Sequence, residues 1–200
     1  VRWFWQGNVP NAALDWLDTR PGGAPAKETR TDHYLIVNTT DTLGIKLREG
    51  QIEIKQRTGP ARPTHLSDQA YGLTERWTKW SFGLARERLD LNHVIASGAW
   101  TGIKKTRWLK EYRITETGSV EHLGPDENPK EVCALEIAQV TVLDAHAQSQ
   151  WWTLGLEASG DEKQLTRTLH RTAADLLSPP LPRAIKEENS YSYPKWLRRL

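Results

Sequence analysis

Between Gly44 and Arg57 the chain reads GIKLREGQIEIKQR, and this stretch limits the fold more than any other. With a period of two, Ile45, Leu47, Ile52 and Ile54 fall on one face, while Lys46, Arg48, Glu53, Lys55 and Arg57 fall on the other. Two strands joined at Glu49-Gly50 are predicted, carrying a charged, mostly basic face. For Lys46 and Arg48 to share that face with Lys55 and Arg57, the loop must hold an even number of residues. A two-residue loop sets Lys46 opposite Glu53 and Arg48 opposite Gln51. Glu is a poor first residue for a primed turn, so a four-residue loop is the alternative. Parity does not say whether the charged face looks into a cavity or out to solvent. A half-buried sheet with its apolar side on the core gives the same pattern.

The partner of such a face must be attracted locally. With 27 basic and 25 acidic side chains the net charge is only +2, too small for a whole-molecule field that gathers nucleic acid or coats a membrane. The stretch KKTRWLKEYR, residues 104–113, interleaves bases and aromatics as single-strand binders do. The small charge and the lack of an RNP-type signature argue against nucleic acid. A length of 200 residues fits one domain with a real core. One cysteine, Cys133, excludes an internal disulfide, and with no secretory apolar stretch at the start it suggests a cytoplasmic protein. No apolar run approaches the roughly 20 residues of a spanning helix, so no membrane association is expected. Ten tryptophans suggest bulky core or cavity-wall fillers.

Elsewhere the pattern is strand-rich. VRWFWQG reads as a first strand, and NVPNAALDWLDTR as a short helix with Asn8 as a cap and Pro10 in its first turn. PGGAPAKET breaks structure by composition, DHYLIVN begins the next strand at Asp32, and residues 58–73 read as a polar connection. RWTKWSF is a strand with Trp77, Lys79 and Ser81 on one side, and LARERLDLNHVIASG is helical. GIKKTRWLKEYRI, VCALEIAQVTVL and QWWTLGLEAS supply three more strands. A loop at TETGSVEHLGPDENPKE separates the first two, and Asp144-Ala145-His146 the last two. Ser159 and Glu162 have capping-box spacing before a helix with Leu165, Leu169, Ala173 and Leu176 on one face, stopping before Pro179-Pro180. Residues 1–178 are expected to form one barrel domain, and residues 179–200 an irregular strap anchored by Tyr191, Tyr193 and Trp196.

Several motifs fail on spacing. GAWTGIKKT has three residues between its glycines and Ile103 before Lys104, so it is no P-loop. The six histidines form no i, i+4 pair and have no cysteine partners. Cys133 sits among apolar strand residues and reads as core.

Residues 30–57, with Asp32-x-Tyr34 and the basic hairpin from Leu43 to Lys55, together with KKTR at 104–107, Glu136, and a last strand ending near Glu157, resemble the CYTH superfamily of triphosphate tunnel proteins. The resemblance implies an α+β fold: a mainly antiparallel, tunnel-like β-barrel with a few flanking helices. It also implies bases gripping a polyphosphate, and acids holding magnesium or manganese. The first strand, however, has VRWFW in place of that family's E-x-E-x-K. The middle strand has Arg76-Trp77-Thr78-Lys79-Trp80 in place of R-x-E-x-E, and the terminal E-x-E becomes Gly155-Leu156-Glu157. Glu136 and Glu157 are a meagre supply of the hard oxygen ligands magnesium needs.

Candidate anion-binding residues are therefore Lys46, Arg48, Lys55, Arg57, Lys105 and Arg107. Glu136 and Glu157 are candidate metal ligands, with internal counter-ion as the competing role, because a buried carboxylate is rarely left unpaired. Trp77, Trp80, Trp151 and Trp152 narrow a cavity or pack a core, and Asp32 and Tyr34 read as structural. The expected function is binding of a phosphate, polyphosphate, nucleotide or other anionic small molecule without the usual two-metal hydrolysis. One alternative is a metal-dependent triphosphate hydrolase or cyclase using Glu53, Glu136 and Glu157. The other is a non-enzymatic module whose basic and tryptophan-rich strands meet a protein.

Overall fold

The computed structural model describes residues 1–84, 91–96, 98–124, 126–143, 149–178 and 183–200. The expected turn at Asp144-Ala145-His146 and the helix stop at Pro179-Pro180 lie outside them. In chain order the elements are β1 (Arg2–Gln6), α1 (Asn11–Asp18), β2 (Ala26–Leu35), β3 (Leu43–Arg48), β4 (Gln51–Arg57), β5 (Arg62–Ser67), β6 (Ala70–Thr74), β7 (Trp77–Gly83) and α2 (Leu91–Ala96). They continue with β8 (Trp100–Ile114), β9 (Val120–His122), β10 (Val132–Leu143), β11 (Ser149–Ser159), α3 (Leu165–Leu176), a 3-10 turn (Glu187–Asn189) and α4 (Tyr193–Leu197).

The architecture is α+β, with a large antiparallel sheet as expected. Eight strands run in the order β1-β11-β10-β8-β2-β3-β4-β7, and β9 pairs with β8. Neither end strand hydrogen-bonds the other, so the sheet curls without closing. The curl is measurable. From β11 to β4 there are five strand-to-strand steps, about 24 Å if flat at about 4.8 Å each. Yet Lys55 on β4 touches Glu157 on β11 at 2.9 Å.

The β3–β4 hairpin takes the two-residue loop, pairing Lys46 with Glu53 and Arg48 with Gln51. Glu49 accepts φ 48° and Gly50 φ 76°, the left-handed pair that a twisted hairpin needs. Helix α1 is capped at Pro10, whose carbonyl accepts the Ala13 N–H, and not at Asn8. Before α3 it is Asp161 that receives the Lys163 N–H on its side chain, so Ser159 and Glu162 form no capping box.

Three stretches differ from expectation. β2 begins at Ala26, because β8 is long enough to pair with it from Leu109 back to Trp100. The polar connection at 58–73 contains the separate hairpin β5–β6, which buries Leu66 and Ala70. The loop after β8 holds the short strand β9. Of the helix expected over residues 84–98, α2 forms at Leu91–Ala96, Leu84 and Gly98 are not helical, and the other residues lie outside the described ones.

The main core lies on the convex face. Trp3, Trp5, Cys133, Leu135, Ile137, Trp152, Leu154 and Leu156 pack there against Trp16 and Leu17 of α1, Ala173 and Leu176 of α3, and the β5–β6 hairpin. A second apolar cluster fills one end of the concave face, where Trp196 and Leu197 of α4 meet Phe4, Tyr34, Ile103 and Val140. Phe4 stacks on Trp196 at 5.0 Å. No helix among the described residues is long and apolar enough to cross a membrane.

Candidate functional site

Alternation along each strand sends one set of side chains into the curl. From β3 come Lys46 and Arg48; from β2, Glu28, Arg30, Asp32 and Tyr34; from β8, Lys105 and Arg107; from β10, Glu136; from β1, Arg2. The hairpin's charged face is therefore the inner one. Its apolar face lies outside, where Leu47 is buried while Trp80 and Phe82 on β7 stay exposed.

Asp32 is the centre, with 0% exposure. Arg48 Nε reaches its Oδ1 at 2.8 Å, Arg30 Nε at 3.4 Å, Lys46 Nζ its Oδ2 at 3.4 Å, and Lys105 Nζ at 3.5 Å. The Tyr34 hydroxyl donates to the same carboxylate at 3.4 Å and accepts from Lys105. Burial alone would raise the Asp32 pKa, but Lys105 and Arg48 reverse the sign and hold it below the usual range. Asp32 and Tyr34, read from sequence as structural, thus order the basic cluster.

Two further carboxylates extend the network. Glu53 takes Lys46 at 2.8 Å, Lys79 at 3.3 Å and Arg48 at 3.4 Å. Glu136 accepts from Arg2 at 2.5 Å and from Arg107, which also reaches Glu28 at 3.1 Å. Burial disfavours Glu136 ionisation, yet Arg2 and Arg107 outweigh it and bring its pKa down to about 2. Glu28 in turn holds Arg30 at 2.7 Å. Among the described residues, seven basic side chains, Arg2, Arg30, Lys46, Arg48, Lys79, Lys105 and Arg107, are thus linked through four carboxylates, Glu28, Asp32, Glu53 and Glu136.

Lys105 is the most enclosed of these cations. Its ammonium lies 3.7 Å from the centre of the Tyr193 ring and 4.7 Å from that of Tyr34. Burial lowers its pKa to about 7, against Asp32 and Glu136, which raise it.

Arg57 does not join the group. It is held by Glu75 at 2.8 Å and Asp41 at 3.1 Å, where Glu75 also accepts the Trp77 indole N–H. Lys55 stands at the rim with Glu157, whose carboxyl it keeps below the usual range. Of the four tryptophans considered for the cavity wall, Trp152 packs in the convex core against Trp5 and Trp80 lies outside, whereas Trp151 joins the concave cluster.

Arg2 is the member that sequence reasoning missed. A Cβ at Gly155 would stand 2.7 Å from the Arg2 guanidinium carbon, so the glycine leaves the space in which Arg2 reaches Glu136 and Thr153. The first strand, where the resemblance implied E-x-E-x-K, thus brings in a guanidinium, and Gly155, at the first acid position of the terminal E-x-E, leaves the gap that admits it. Of the candidate metal ligands, Glu136 is held by Arg2 and Arg107, and Glu157 by Lys55. Among the described residues no three of His, Cys, Asp or Glu gather to hold an ion.

The site thus belongs to a curled antiparallel α+β protein whose concave face carries a linked excess of positive charge. No family model matches the chain, and no curated protein matches it. Among solved structures it is similar to a putative adenylyl cyclase from Hippeastrum, described as having a dominant triphosphatase activity. Identity is 8%, coverage is 83% of this chain and 82% of that one, and the TM-score is 0.28.

Proposed function

We propose that the concave face binds a small phosphorylated or polyanionic molecule, in its role as a binding site rather than as a two-metal hydrolase. The observation that carries the reading is the imbalance, among the described residues, of seven basic side chains linked through four carboxylates. Close like charges repel by on the order of 4 kcal/mol per pair at an effective dielectric of 20, so the set gains from a further anion. The contact points are at the rim, where side-chain exposure is 48% for Lys79 and 35% for Lys55. Glu157, 62% exposed, acts as a stand-in anion for Lys55 and can swing into water when a ligand replaces it.

Titration calorimetry with tripolyphosphate, ATP and thiamine triphosphate, free of divalent metal and at low salt, tests this. Wild type is expected to bind at least one of them, and Lys55→Gln or Lys79→Gln to weaken it about tenfold, the loss of one charge-assisted contact. Glu157→Gln frees Lys55 and is expected to tighten binding. Absence of binding to wild type would overturn the proposal. Magnesium- or manganese-dependent phosphate release that disappears in Glu157→Gln would replace it by the hydrolase.

A further inference from the structure

On the convex side, between the β5–β6 turn and residues 183–186, lies a cavity of about 400 Å³, within the size range of small-molecule sites. Its floor is Ile185, buried and bridged to Ala70, with the Tyr71 N–H donating to the Ile185 carbonyl at 2.9 Å. One wall is aromatic: the His65 and Tyr71 rings lie 4.3 Å apart at 32°, and His65 is exposed. The other carries Arg183 and Lys186, both exposed.

These cations differ from those of the concave face. Arg183 has only the Trp5 ring, 6.0 Å away, and neither it nor Lys186 has a carboxylate partner among the described residues. Burial and then the Glu187 carboxylate raise the Tyr71 pKa, and Glu187 does not line the cavity. Asp68 is the remaining charged group lining the space. Three chemistries thus meet in one cavity: a ring face, two cations without counter-ions, and one acceptor-only carboxylate. A ring demands stacking, the cations demand an anion, and the carboxylate demands a hydroxyl or amino donor.

We propose that this cavity is a second binding site, for a nucleoside monophosphate, with the base against His65, the phosphate on Arg183 and Lys186, and Asp68 accepting from a ribose hydroxyl or a base amino group. The site is independent of the concave face and stands or falls separately from it.

The experiment is calorimetric titration of the full chain with adenosine 5′-monophosphate, beside adenosine and ribose 5-phosphate as the ring without the charge and the charge without the ring. The nucleotide is expected to bind, and each half-ligand to bind at least about tenfold more weakly. Arg183→Gln with Lys186→Gln is expected to weaken the nucleotide about 100-fold, one factor of ten per cation. His65→Ala should cost about tenfold, the scale of one stacking contact. These side chains are exposed, and unchanged unfolding midpoints confirm that the variants are folded. No nucleotide binding at millimolar concentration, an affinity unmoved by the double substitution, or ribose 5-phosphate binding as tightly as the nucleotide would each overturn the assignment. Loss on Lys79→Gln instead would place the nucleotide on the concave face and overturn it equally.

Discussion

Lys105 sits 4% exposed between Asp32 and two tyrosine rings, and its pKa of about 7 sets a testable pH response. The unfolded chain holds that proton up to about pH 10.4, while the folded protein has released it above about 7. Between these values the unfolded state binds more protons, so this group makes stability rise with pH, by at most about 1.4 kcal/mol per unit. Below pH 7 both states are protonated and the contribution is flat. Urea unfolding between pH 6 and 10 is expected to show the rise in wild type and its loss in Lys105→Met. A variant slope identical to wild type would show that the ammonium is not desolvated. The inward direction of Lys46, Arg48 and Glu53 was written in their alternation once the sheet was known to curl. Arg2 follows the same rule, sharing a face with Phe4 while Trp3 and Trp5 take the other. Its strand is otherwise mostly apolar, and nothing local in the sequence shows that Gly155 makes room for it.

At the scale of elements, α4 shows most clearly what a one-dimensional reading lacks. The aromatic residues of the tail suggest an anchor, but only the fold shows that Tyr193 and Trp196 insert into the concave end beside Phe4. The insertion has a polar cost. The Tyr193 hydroxyl is buried with no hydrogen-bond partner among the described residues, a situation that costs about 1–3 kcal/mol. Tyr193→Phe keeps the ring over Lys105 and removes that cost, so a higher urea midpoint is expected; a lower one would mean the hydroxyl finds a partner. Strands with long alternations, β4, β8, β10 and β11, were legible because both of their faces are specified. The β5–β6 hairpin was not. Pro63 and the polar residues of β5 read as a connection, and its stability comes from Leu66 and Ala70 meeting the convex core, a contact of long sequence separation. The start of β2 was hidden for the same reason, since its Ala26 end is held by pairing with β8 and not by its own composition.

For the molecule as a whole, the margins of the sheet approach each other without sharing main-chain bonds. Among the described residues the gap is spanned by Lys55 to Glu157 at 2.9 Å and Arg76 to Glu162 at 2.7 Å, both solvent-exposed pairs, and by the segment around Ser190, where the Tyr191 N–H donates to the Arg2 carbonyl at 3.1 Å and the Ser190 hydroxyl accepts the Leu73 N–H at 2.8 Å. Such pairs contribute about 0.2–1 kcal/mol each and weaken with salt. Lys55→Gln with Arg76→Gln is therefore expected to lower stability by no more than about 2 kcal/mol in dilute buffer, and by much less in molar salt, as read from urea midpoints. A loss that salt leaves unchanged would show that packing, and not charge, fastens the seam.

In a sealed barrel the number of strands and their stagger dictate the radius, and girth changes only by tearing a ladder. Here the circumference is fastened by two ion pairs and by the segment around Ser190, like a cuff with a buckle. Loosening the two ion pairs alone leaves every strand with its ladder neighbours.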